Sequence, residues 1–190
     1  VPAKPNGMAL RGKDMTRKNQ GRRKEVKIYT DGACLGNPGP GGYGVVLLSG
    51  RARKELSGGY RLTTNNRMEL MAAIVGLQAL TVPCRVTLST DSQYVVNAMT
   101  KGWANRWRQN GWMRNKQEKA LNSDLWERLL VLCSRHEVAF TWVRGHAGDP
   151  ENERCDLLSK QAALRDDLPP DEGYMKQVND GRPTSGDGFV

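Results

Sequence analysis

The segment Val26–Gly44, VKIYTDGACLGNPGPGGYG, opens with the alternation of a strand, delivers the aspartate Asp31, and then enters a loop crowded with Gly and Pro. A Gly-rich loop that cradles a nucleotide phosphate carries a lysine and opens a helix, as in G-x-x-x-x-G-K-[ST], and no such lysine follows here. The reading that remains is a carboxylate holding something cationic, with bare backbone beyond it that lets a bulky anionic polymer come close.

Working outward, Val26, Ile28 and Thr30 alternate with Lys27, Tyr29 and Asp31, the period of a strand. YGVVLLSG and RKELSGGYRL extend it into an antiparallel meander joined by a Gly/Arg turn. From Thr63 to Leu80 the period becomes helical, with Met68, Met71, Ala72, Val75 and Ala79 on one stripe and Pro83 beyond. RVTLSTD is a fourth strand, SQYVVNAM begins a helix, and residues 102–116 read as helical around their tryptophans. SDLWERLLVLCSRH is an amphipathic helix, EVAFTWV a fifth strand, RGHAGDP a loop, and ENERCDLLSKQAALR a last helix. The order predicts an α/β fold: a mixed five-stranded sheet, an antiparallel meander plus two parallel strands, with helices on both faces.

At 190 residues the chain fits one domain with tails. The expected division is a basic, disordered extension over 1–24, a catalytic domain over 25–166, and a disordered tail over 167–190, where Asp, Pro and Gly follow without periodicity. There is no apolar run near 18 residues and no secretory leader, which predicts a cytoplasmic protein without a membrane partner. Cys34, Cys84, Cys133 and Cys155 form no C-x-x-C pair, so reduced thiols are expected in place of a zinc site or a disulfide framework.

The formal charge is +9, and residues 1–24 hold eight Lys/Arg against Asp14 alone, a net of +7. Lys101–Lys119 carries six positive residues against Glu118, a net of +5, with Trp103, Trp107 and Trp112 interleaved. Basic residues alternating with aromatics suit a polyanion that also offers flat surfaces, although an amphipathic helix with Trp inward and Arg outward has the same spacing.

Two strands end alike, IYTDG at Asp31 and LSTDS at Asp91, which as parallel neighbours would place both carboxylates at the carboxyl edge of the sheet. Each is also a good Asx-turn or N-cap residue. Glu69 lies one turn into its helix, where Asn66 followed by Glu69 fits a capping box. The small residues Ala72, Ala73 and Gly76 let that helix lie close to the sheet and aim Glu69 at the strand ends. Asp156 sits in an early turn of the last helix, where acids suit the macrodipole. Three or four converging carboxylates are stable chiefly around divalent cations, and oxygen-only ligands favour Mg²⁺ or Mn²⁺. A pair of such ions is the standard clamp for displacement at phosphorus, which points to a nuclease.

Together YTDGACLGNPGPGGYG, TTNNRMELMAAI, STDSQYV and VRGHAGDPENERCD resemble bacterial ribonuclease HI, the type 1 ribonuclease H, over about Glu25 to Ala163. The resemblance implies hydrolysis of the RNA strand of RNA/DNA hybrids by two metal ions, leaving 5′-phosphate and 3′-hydroxyl ends, in a monomer. It implies Asp31, Glu69, Asp91 and Asp156 as the metal-binding carboxylates and His146 as an auxiliary histidine that helps proton transfer or product departure. It implies minor-groove contacts from Cys34, Asn37, Asn65, Asn66, Gln93 and Asn152, small donors and acceptors suited to 2′-hydroxyls. Thr64 with Asn37 resembles a DNA-phosphate pocket, and Trp103 and Trp107 resemble aromatics that meet the DNA strand. The basic segment departs from the pattern, with Gln109 and Asn110 where relatives carry lysines and one residue more after Asp91. The main rival is a noncatalytic RNA/DNA hybrid-binding protein of the same fold, followed by an integrase- or transposase-like enzyme and a small basic architectural protein.

Overall fold

The computed structural model describes residues 23–145 and 148–181; the expected basic extension up to residue 22, residues 182–190 and His146 lie outside the described residues. Strands β1 (Lys24–Cys34), β2 (Gly39–Ser49) and β3 (Ala52–Thr63) form the antiparallel meander, followed by helix α1 (Asn65–Gln78) and strand β4 (Cys84–Thr90). Helices α2 (Gln93–Thr100), α3 (Trp103–Gln109) and α4 (Ser123–Cys133) lead to β5 (Glu137–Trp142), and α5 (Pro150–Ala163) and α6 (Glu172–Asn179) follow. The sheet order is β3-β2-β1-β4-β5, with β4 parallel to both β1 and β5.

The register carries the functional consequence of this topology. Parallel pairing matches Ile28 with Leu88 and Thr30 with Thr90, so the next residues, Asp31 still within β1 and Asp91 just past β4, follow as neighbours where the β1–β4 pairing ends. Val26 and Ile28 point into the main core with Val86 and Leu88, while Lys27 between them is exposed. Ile28, Leu70, Leu77 and Leu88 are fully buried there, each contributing roughly 1.5–3 kcal/mol of transfer free energy.

Helix α1 is buried almost all round, because the sheet and α4 both pack on it. Its approach to β1 explains the Gly-rich stretch better than an open landing surface does. A Cβ on Gly32 would overlap the Glu69 amide, and one on Gly76 would sit 2.7 Å from Ile28 Cγ2. Gly41 abuts Met68 of α1 on one face, whereas Gly42 and Gly44 abut the α5 backbone at Ser159 and Cys155 on the other. These glycines serve helix-on-sheet packing, which corrects the expectation that they clear space for an anionic polymer.

Other expectations shift in detail. The helix expected over 102–116 ends at Gln109, because Gly111 and Trp112 both take φ of 64°. The expected disordered tail does not hold for 167–181: α6 folds back with Tyr174 and Gln177 buried and Asp171 as its N-cap. The driving contact is electrostatic. Arg67, 2% exposed in the first turn of α1, donates through Nε and Nη2 to Asp171 at 2.7 and 2.8 Å and through Nη1 and Nη2 to Asp124 at 3.0 and 2.8 Å. Thr63 Oγ1 also donates to Asp171 at 2.7 Å.

Candidate active site

Three elements converge on one point. The end of β1 supplies Asp31, the first turns of α1 supply Glu69, and the residue after β4 supplies Asp91; one oxygen from each lies within 4.8 Å of the others. Asp31 and Glu69 are each 5% exposed, so two acids face a third with little water between them. Burial, followed by the Asp91 charge, pushes the Asp31 carboxyl up to about 7, partly opposed by hydrogen bonds from Ser159 and the Gly32 amide. Burial, followed by the charges of Asp31 and Asp91, raises Glu69 well above the carboxylate range.

The arrangement fits a divalent cation by its donor set and by a missing partner. Glu69 Oε2 is buried without a hydrogen bond among the described residues, although a carboxylate oxygen in that position costs several kcal/mol on its own. A hard cation among these three oxygens satisfies it and removes the mutual repulsion. The three carboxylates are those the sequence pointed to; Asp156 is not among them. It pairs with Lys160 at 2.8 Å one turn along α5, and its charge reaches Asp31 from the rim. Ser159, which sequence reasoning missed, donates to Asp31 Oδ2 at 2.9 Å. Its position three residues after Asp156, on the face of α5 that meets β1, was the available signal.

The polar residues beside the triad fall into two groups. Asn37 Oδ1 accepts from the Asn65 amide at 3.1 Å, which joins the β1–β2 loop to the start of α1, and the Cys34 thiol lies against the Gly39 and Thr63 carbonyls. Thr64 caps α1 by accepting from the Arg67 amide, so the capping box drawn from Asn66 to Glu69 does not form. Gln93 opens α2 and is exposed beside Asp91, behind the cap Ser92. Asn152, by contrast, is 2% exposed and donates to Asp91 Oδ2 at 3.5 Å. Trp103 and Trp107 are half-buried against the core, Trp107 reaching Trp126 at 5.9 Å, while Lys101 lies over Trp103 at 5.0 Å. The segment is thus both core and basic surface. A hollow of about 550 Å³ lies elsewhere, between the end of α1 and α4 at Leu77, Val82, Arg128, Val131 and Arg135. A duplex needs an open face, not a pocket of that size.

A mixed sheet of this order, with a carboxylate triad where β1, β4 and α1 meet, defines the class of nucleases built on a five-stranded α/β core. The RNase H family model matches residues 23–164, and the chain belongs to that family. It is 73% identical over 152 residues to the ribonuclease H of Syntrophus aciditrophicus, an alignment covering 80% of this chain and 88% of that protein. Among solved structures it is similar to LC9-RNase H1, a type 1 RNase H with the type 2 active-site motif, with TM-score 0.69 and 34% identity over 76% of this chain and 74% of that one. It is also similar to LC11-RNase H1, solved in complex with an RNA/DNA hybrid, with TM-score 0.56 and 25% identity over 73% of this chain and 96% of that one. Family membership makes the protein a nuclease.

Proposed function

We propose that this chain hydrolyses the RNA strand of RNA/DNA hybrids, leaving 5′-phosphate and 3′-hydroxyl ends, with Asp31, Glu69 and Asp91 holding Mg²⁺ or Mn²⁺ and Asp156 joining from the rim. The observation that carries the reading is the uncompensated triad, two of its acids buried and one oxygen without a partner. Divalent cations held there supply Lewis-acid chemistry: they polarise the phosphodiester, lower the pKa of water and stabilise the leaving oxygen. The residues of the chain do the rest. Ser159 fixes the Asp31 carboxylate through its hydroxyl. Burial and the neighbouring acids raise the Asp31 and Glu69 carboxyls, so a cation bound here would compete with protons for the same oxygens.

Cys34, Asn37, Asn65, Asn66 and Gln93 offer short donors and acceptors beside the triad, the chemistry that tells a 2′-hydroxyl from a hydrogen. The basic segment with Trp103 and Trp107 meets the DNA strand through phosphate attraction and stacking. His146 is assigned proton transfer by its place in the sequence, and the protein is read as a monomer in the cytoplasm. Among the described residues, no helix is long and apolar enough to cross a membrane.

The test is cleavage of labelled RNA in four forms, namely hybrid, single strand, RNA duplex and hybrid with chelator, using the full chain in Mg²⁺. Cleavage of the hybrid alone, lost with chelator, supports the reading. A hybrid that is bound but never cut in Mg²⁺ or Mn²⁺ replaces it with a noncatalytic hybrid-binding protein.

A further inference from the structure

Of the three acids, Asp91 is the one that regular structure does not hold. Asp31 lies within β1 and Glu69 within α1, whereas Asp91 follows the last residue of β4 and precedes the cap of α2. Its support comes from residues 142–145, which leave β5, and from Asn152 in the first turn of α5. The Trp142 indole Nε1 donates to the Asp91 carbonyl at 3.1 Å, and the Asn152 amide Nδ2 donates to Asp91 Oδ2 at 3.5 Å. Between them Gly145 lies so close that a Cβ there would sit 2.5 Å from Asp91 Oδ2, while the Val143 amide donates to the Thr90 carbonyl at 3.0 Å.

Neither side chain has another explanation in the fold. Trp142 is 46% exposed, so its ring is not there to fill the core; the indole N–H is its specific contact. Asn152 is 2% exposed, yet among the described residues its Oδ1 has no hydrogen-bond partner. An amide recruited for stability would satisfy its carbonyl first. This one is oriented with its NH₂ group at Asp91 instead.

We propose that Trp142 and Asn152 are positioning residues that grip Asp91 at its carbonyl and its carboxylate and thereby set the affinity of the triad for a divalent cation. The proposal rests on the reading of Asp91 as a cation ligand. It gives Asn152 a different task from the 2′-hydroxyl contact suggested by the family resemblance, one consistent with its burial. Groups of this kind fix a ligand's orientation and commonly change metal affinity by 10–100-fold when removed.

The experiment is calorimetric titration of the full chain with Mg²⁺ at pH 8, for wild type, Trp142→Phe, Asn152→Ala and Glu69→Gln, with unfolding midpoints recorded in chelator. Trp142→Phe keeps the ring and removes only the donor, so it carries the test if Asn152→Ala folds poorly. The proposal expects Mg²⁺ affinity to fall about tenfold in each of the first two variants. It also expects the Mg²⁺ concentration for half-maximal hybrid cleavage to rise by the same factor, and the Trp142→Phe midpoint in chelator to stay where wild type has it. Wild-type affinity in both variants overturns the positioning role and leaves the nuclease reading intact. If wild type neither binds Mg²⁺ nor cuts hybrid, the nuclease reading fails and this proposal falls with it.

Discussion

Two buried charge clusters sit two residues apart on α1, and they are built on opposite principles. Arg67 is surrounded by Asp171, Asp124, Asn122 and Thr64–Thr63, with its guanidinium donating to both carboxylates. Glu69 faces Asp31 and Asp91, and among the described residues none of the three forms a salt bridge with a Lys or Arg. In the first cluster the desolvation of each charge is offset by close, bidentate partners, so the cluster is structural: it fastens α6 and α4 to the helix that carries Glu69. In the second the charge is left uncompensated, and the fold retains it at a cost in stability. The contrast teaches how to tell scaffold from site when both are buried and acidic: by whether the protein supplies its own counter-charge.

Breaking the second cluster should have the largest effect on activity. Asp91→Asn or Asp31→Asn is expected to lower hybrid cleavage by on the order of 10³-fold, because each removes a cation ligand; single-turnover assays at saturating Mg²⁺ measure it. Breaking the first should have the largest effect on stability. Asp171→Ala leaves Arg67 with Asp124, itself 44% exposed, and the neutral Asn122, and should cost about 3–5 kcal/mol in denaturant unfolding.

The two clusters should also differ in sign. Asp31 titrates at about 7 in the folded protein against 3.8 as the reference, so its contribution to stability is complete below about pH 4 and is lost as pH rises through 7. In chelator, wild type should therefore lose about 2–4 kcal/mol across that window, and Asp31→Asn should be the more stable protein at pH 8. No such gain follows from neutralising Asp171. The smallest effect belongs to the exposed network of Arg53 and Arg154 with Glu55 and Glu151: Arg154→Ala should move the thermal midpoint by less than about 2 °C.

Much of the second cluster was legible in the sequence. Matching TDG and TDS strand ends gave Asp31 and Asp91, and the small stripe Ala72, Ala73 and Gly76 gave the close helix that brings Glu69 to them. The first cluster was not, because its partners are 104 residues apart in the chain and α6 is short, follows Pro169–Pro170 and has few apolar residues. The missed signal was Arg67 itself, a cation on the apolar side of α1 that demands a distant acid, together with Asp171 in an N-cap position. Composition read the glycines after Asp31 as open space, and helix-on-sheet contact used them instead. Asp156 was placed with the triad by the family resemblance alone, since on its own it reads as a routine helix acid, and it pairs with Lys160 four residues on.

The central claim, that the triad is an acidic site completed by a divalent cation, is tested most directly by equilibrium unfolding of wild type and Asp31→Asn at pH 8, each with Mg²⁺ and with chelator. The account predicts that Mg²⁺ stabilises wild type, that it does little for Asp31→Asn, and that in chelator the variant is the more stable of the two. Wild-type stability indifferent to Mg²⁺, with Asp31→Asn no more stable than wild type in chelator, would contradict it.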